Sequence, residues 1–290
     1  MNKIFNKIKK NENGFSHIEI LLVIVFVVAI IGVGGYVYQK NVGDTYKKNI
    51  IPAYTNQGEQ MKLVGESLKR NVWTDRNSTA DSNAKDFAYI QTNLTKEVAY
   101  TDKLSNTNDV IVLPGSTVIS SVRKLKTTRD LMKVYIKDSR VFLNDYQDLL
   151  NYTRDSDSIG YKDINATFVA VSKITALSSP SEIMTSYSSA LKSINSAISS
   201  YKKLTPPSDL ASYNQQVISR LQDISNGLSG SINDMNSNNL NKLATDSVAL
   251  AQAETSLIIL GQTDLYTKLS TNSVIHSDLV KLKADNPLGI

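Results

Sequence analysis

No charged residue interrupts the 19 positions from Ile20 to Tyr38. At about 1.5 Å per residue a helix of that length spans roughly 29 Å, the thickness of the hydrocarbon core of a bilayer. The segment is therefore read as a membrane helix, and the rest of the fold has to be arranged around it. Lys3, Lys7, Lys9 and Lys10 precede it against the single acid Glu12, which puts the N-terminus in the cytoplasm and the residues after 39 outside. A conventional secretory signal would have a shorter apolar core and an A-x-A-like cleavage site, for which "GVGG" at 32–35 is a poor substitute.

Glu19 stands at the head of this run. A carboxylate in the bilayer centre costs about 2.5–3.5 kcal/mol on insertion scales, and less near the interface, so it needs water or a partner. Cleavage after Gly14 would make Phe15 the new N-terminus, with its amine one helical turn from Glu19. The same amine on a neighbouring subunit would supply the missing positive charge.

A short basic leader ending in Gly14, then Phe15, then Glu19 at the fifth mature position ahead of "ILLVIVFVVAIIG", resembles the class III signal of type IV pilins and pseudopilins. The resemblance implies cleavage between Gly14 and Phe15 by a prepilin peptidase, N-methylation of Phe15, and assembly through helices packed in a filament core. It also implies that Glu19 neutralises the N-terminal amine of an adjacent pilin-like subunit. Two positions depart from the family pattern. His17 stands where a small or hydroxylic residue is usual, and Gly32, Gly34 and Gly35 replace a mid-helix proline. Those glycines fit either local loosening of the helix or close helix packing.

Charge and composition bound the remaining functions. The chain total is +5, of which the first 14 residues hold +3. Beyond residue 14 there is no dense Lys/Arg run, so no nucleic-acid partner is expected. Cysteine is absent, excluding a disulfide framework and thiolate metal sites. The two histidines, His17 and His276, have no acid or nucleophile at a recognisable spacing, and there is no P-loop, dinucleotide fingerprint or H-E-x-x-H. The expectation is a chain that is not an enzyme and needs no cofactor or metal.

Beyond Gln39 the apolar residues recur at helical spacing. Ile183, Tyr187, Leu191, Ile194, Ile198, Tyr201 and Leu204 form one stripe, and Leu210, Tyr213, Val217, Leu221, Ile224, Leu228, Ile232 and Met235 another. Ser179-Pro180 with Glu182 reads as a capping box with proline in the first turn, and Thr205-Pro206-Pro207 repeats the device. A third long helix is predicted over 117–153, ended by the interruption "RDSDSIG" at 154–160, with a fourth piece around Phe168, Val171 and Ile174. Phe87, Ile90, Leu94 and Val98 mark an earlier helix, and 238–283 supplies one or two more with a break near Gly261. Residues 74–83 and 105–109 read as polar linkers, and "DVIVLPGS" at 109–116 is the one plausible strand. Tyr135, Tyr146, Tyr187, Tyr201 and Tyr213 fall on the stripes and are expected to pack at the edges of the helices. Trp73 is expected to plug a helix end. Asn77, Asn93, Asn151 and Asn165 each begin an N-x-[ST] tripeptide, which matters only in a host that glycosylates such sites.

The resulting expectation is an all-α chain: a basic leader over 1–14, a pilin-like transmembrane helix over 15–40, and an elongated antiparallel helical bundle over 41–290 outside the membrane. It would serve as a pilin-like surface protein in the cytoplasmic membrane or in an extracellular filament. The same span also suits an uncleaved single-span anchor carrying a helical ligand-binding or sensory domain.

Overall fold

The computed structural model describes residues 17–70, 72, 79–112, 120–174, 178–260, 274–285 and 287–288, with backbone only at 17–24, 27–32, 121, 240 and 244. Among the described residues the regular structure is all helical, with no strand. The elements are α1 (His17–Ser67), α2 (Ala80–Asn108), α3 (Ser120–Ile159), a π turn (Gly160–Ile164), α4 (Asn165–Ser172), α5 (Pro180–Tyr201), a 3-10 turn (Ser208–Leu210), α6 (Ala211–Asn236), α7 (Leu240–Leu260) and α8 (Val274–Ala284).

α1 does not stop at the end of the apolar run; it continues without a break for 51 residues. Its second half is an amphipathic helix, burying Tyr46, Ile50, Ala53, Gln57, Met61, Val64 and Ser67 at intervals of three and four. Pro52 lies inside it, on the exposed side. There the backbone carbonyl that loses its helical partner can be solvated.

α2 runs back along α1. Tyr46 meets Asn108, Gln57 meets Glu97, and Gln60 meets Asn93, so rising numbers on one helix pair with falling numbers on the other. α3 follows the direction of α1: Gln57 pairs with Tyr135 and Ser67 with Tyr146. Three helices thus share one interface of mixed apolar and polar side chains, in which Ile50, Ile90, Leu94, Leu104, Met132, Phe142 and Tyr146 are fully buried. One contiguous hydrophobic cluster extends from Tyr46 to Leu282.

Several sequence expectations change. The "RDSDSIG" stretch is no interruption: the helix passes through it, and the Asn165 N–H reaches back five residues to the Gly160 carbonyl, absorbing one extra residue as a π turn. Residues 105–108 are the last turn of α2, because Asn108 is buried and bonded to Tyr46 and to the Arg129 carbonyl. Residues 109–112 form no strand; the Arg129 guanidinium takes the Val110 carbonyl at 3.0 Å where a ladder partner would be needed. α2 starts at Ala80 behind the N-cap Thr79, whose hydroxyl accepts from the Ser82 N–H, so 79–83 belong to a helix end. Residues 74–78 and 113–116, the rest of those two segments, lie outside the described residues.

Ser179 and Glu182 form the predicted capping box on α5. The second proline device behaves differently: Pro207 leads into the 3-10 turn, and α6 has no side-chain cap. α6 ends in a Schellman arrangement, with the Asn239 N–H on the Asp234 carbonyl and the Asn238 N–H on that of Met235. Asn238 takes the left-handed conformation this requires, at φ 55°. The Asn239 side chain then accepts from the Lys242 N–H and starts α7. α7 runs back along α6 so closely that a Cβ at Gly227 would lie 3.3 Å from the Cβ of Leu250.

Candidate functional site

Gly14 and Phe15 lie outside the described residues. Glu19 is the third residue of α1, described by its backbone alone. The structure therefore shows one helix on which Glu19 is placed and leaves the leader aside. Farther along that helix Val25, Phe26, Val33, Tyr36, Val37 and Tyr38 are exposed. Among the residues of α1 whose side chains are described, burial against other helices begins with Gln39 and Tyr46, so the helix passes from these exposed apolar positions into a stretch built into the core.

The junction between the two stretches is held by polar groups. The Tyr46 hydroxyl donates to Asn108 Oδ1 at 2.7 Å, while Asn108 Nδ2 donates to the Arg129 carbonyl at 3.1 Å. Burial pushes the Tyr46 hydroxyl up to about 12, against the pull of the Arg129 guanidinium, so it stays a donor. A groove of about 920 Å³ opens beside this point, between Tyr38, Val42 and Tyr46 of α1 and Lys103, Asn106 and Val110.

About three helical turns farther into the core lies the least expected group. Glu97 is fully buried and takes bonds from Gln57 Nε2 and, at 3.1 Å, from the Thr101 hydroxyl, both on Oε1. Its Oε2 has no partner among the described residues. Burial raises its carboxyl to about 8, more than the two hydrogen bonds lower it, so the group is protonated at neutral pH. The sequence stripe put Val98 on the inner face; the structure exposes Val98 and buries Glu97. The spacing Ile90, Leu94, Glu97, Thr101, Leu104 carries the signal, and an apolar stripe hides it because two of its members are polar. The tyrosines are also more central than their stripes implied. Tyr135, Tyr146, Tyr201 and Tyr213 are buried, and three of them bond across helices, to Gln57, Ser67 and Ser156. Trp73 and Asn77 lie outside the described residues. Asn93 is buried, with its side chain bonded to Gln60 and to the Tyr89 carbonyl.

A second groove, of about 660 Å³, lies near the π turn, with Ala84, Phe87, Ala88 and Leu150 as its floor and Arg154 and Lys162 on its rim. Among the described residues no three His, Asp or Glu side chains are placed to hold a metal ion. One described helix, Asn241–Leu260, is long and apolar enough to cross a membrane by length and composition, at mean hydropathy 1.2. Lys242 at its start is paired with Asp234 of α6 at 3.2 Å; Leu250, Leu257 and Leu260 are buried, while Val248, Ile258 and Ile259 are exposed, so one face of this helix packs on protein and the other is left open. The apolar run of α1 lies mostly where only the backbone is described.

No protein-family model, curated protein or solved structure matches this chain.

Proposed function

We propose that this is a type IV pilin-like surface protein. Its leader is removed after Gly14, its first helix anchors it in the cytoplasmic membrane with the N-terminus inside, and the same helix packs with those of other pilin-like subunits in a pilus or pseudopilus. The part beyond residue 40 is an elongated antiparallel helical bundle displayed outside, and its work is structural rather than catalytic. The observation that carries this reading is the course of α1: one continuous helix whose described apolar side chains between Val25 and Tyr38 are exposed and whose later residues are integral to the core. A continuous helix of this kind connects the anchoring or assembly segment directly to the domain it carries. Glu19 supports the assembly part, because a carboxylate at the head of a membrane helix needs a counter-charge and the amine of a matured Phe15 would provide it. Replacing Glu19 with leucine should leave the chain in the membrane and remove it from sheared filaments. Undiminished filament incorporation would overturn the role of Glu19.

A second reading is an uncleaved anchor with a ligand-binding or sensory domain. The 660 Å³ groove beside the π turn favours it, since pockets of this size take small molecules and π turns gather at functional sites.

A further inference from the structure

Two stretches that are far apart in sequence come level at the junction of α1. Gly43 faces Leu125 of α3, whose Cδ2 would lie 3.8 Å from a Cβ at that glycine. The residues around both points are basic: Lys40, Lys47 and Lys48 on α1, and Arg123, Lys124 and Lys126 on α3. All six are exposed, and the two stretches 40–48 and 123–126 hold a single carboxylate, Asp44. They therefore carry +5. With +3 in the leader and +5 for the whole chain, everything else sums to −3. Glu19 is one of those negative charges, so the rest of the domain sums to −2: the molecule is basic where α1 enters the core and close to balanced beyond it.

Helix stability does not explain this arrangement. The first turn of α3 contains no acidic residue, and cations near a helix N-terminus oppose the macrodipole. The position along α1 offers a better reason. Gly43 is five residues past Tyr38, about 8 Å along a helix axis, while each headgroup layer is roughly 5–7 Å thick beyond the hydrocarbon. If Tyr38 marks the edge of the apolar layer, the basic rim lies within about one Debye length of the lipid phosphates, where Lys and Arg side chains are attracted to an anionic surface.

We propose that this rim docks onto anionic phospholipid headgroups of the leaflet through which α1 leaves the membrane, holding the helical domain close to the surface. The inference rests on the reading of Ile20–Tyr38 as the membrane span.

Because the chain has no cysteine, a single Thr127→Cys substitution at an exposed position of α3 takes one donor dye. The full-length protein is reconstituted into vesicles of phosphatidylcholine alone or with phosphatidylglycerol, each with acceptor dye on a trace of headgroups. Flotation reports insertion and energy transfer reports the height of the rim. Transfer should be roughly twofold higher with phosphatidylglycerol and should return to the phosphatidylcholine level in about 1 M salt, where the Debye length is about 3 Å. The combined Arg123→Gln, Lys124→Gln and Lys126→Gln variant should float equally well and lose the lipid dependence. Equal transfer in both lipids from protein that floats would overturn the rim alone. Unchanged transfer together with salt-sensitive capture by soluble polyphosphate would reassign the rim to a non-lipid polyanion and overturn the proposal. Protein that fails to float in either lipid would overturn the membrane span, and the rim with it.

Discussion

The Tyr135 hydroxyl donates to the side-chain oxygen of Gln57 at 2.7 Å, and the Gln57 amide in turn donates to Glu97. One hydrogen-bonded relay thus crosses α3, α1 and α2 about three turns beyond the point where the first helix becomes part of the core. Burial raises the Tyr135 hydroxyl well above its ordinary value, helped by Tyr54 and Glu97, so the relay has one sense: tyrosine gives, glutamine passes on, the carboxyl receives.

The carboxyl end of that relay makes stability depend on pH. Glu97 is held near 8 in the folded chain against 4.5 for the ordinary group, so the folded state keeps a proton that the unfolded state releases. The contribution is full below about pH 4.5 and is lost as pH rises to about 8, a fall on the order of a few kcal/mol. Urea unfolding followed from pH 5 to pH 9 should show this slope in the native sequence, and Glu97→Gln should remove most of it. A native profile that is flat over this range would contradict the burial of Glu97.

The junction itself has a separate test. Tyr46→Phe removes the donor to Asn108 and leaves a buried acceptor with one bond fewer, at a cost of about 1–3 kcal/mol. Hydrogen exchange at the last turn of α2 should rise in this variant before exchange in α5 or α6 does.

Two glycines in helix interiors should respond in opposite directions. A Cβ at Gly58 meets nothing within 4 Å, so Gly58→Ala should stabilise by about 0.5–1 kcal/mol. Gly227 faces the Leu250 backbone, with its Cα 3.4 Å from the site of the added carbon. Gly227→Leu should therefore force α6 and α7 apart and cost about 1–3 kcal/mol. Thermal unfolding of both variants decides whether α7 is seated as described.

The capping box on α5 offers a local check. Ser179→Ala removes the hydroxyl that accepts from the Glu182 N–H and should cost about 1 kcal/mol. Ser179→Asp restores an acceptor and should recover most of that loss in the same unfolding assay.

How far the sequence reveals this fold depends on which residue types fill the inner face. α5 was legible because Ile194, Ile198 and Tyr201 point inward at regular spacing and the serine cap marks its start. The second half of α1 was not, since Gln57, Gln60 and Ser67 occupy inner positions and break the apolar stripe while bonding across the interface. Polar composition misled in the same way at 105–108, where buried Asn108 gives the turn its reason to form. At 154–160 charged residues suggested a loop, but the helix needed only one extra residue at Gly160 to continue. The basic rim was equally hidden, because its two halves are some 80 positions apart in the chain and meet only through the packing of Leu125 on Gly43. Gly14, Phe15 and Glu19 were found by motif alone, and their test is chemical rather than geometric.

That test is the mass of the mature protein. The full chain, extracted from membranes of cells that possess a prepilin peptidase, should begin at Phe15 and weigh one methyl group more than the cleaved sequence, with unprocessed chain accumulating when the peptidase is removed. Intact protein that begins at Met1 whether or not the peptidase is present would contradict the pilin-like account and leave the uncleaved anchor in its place.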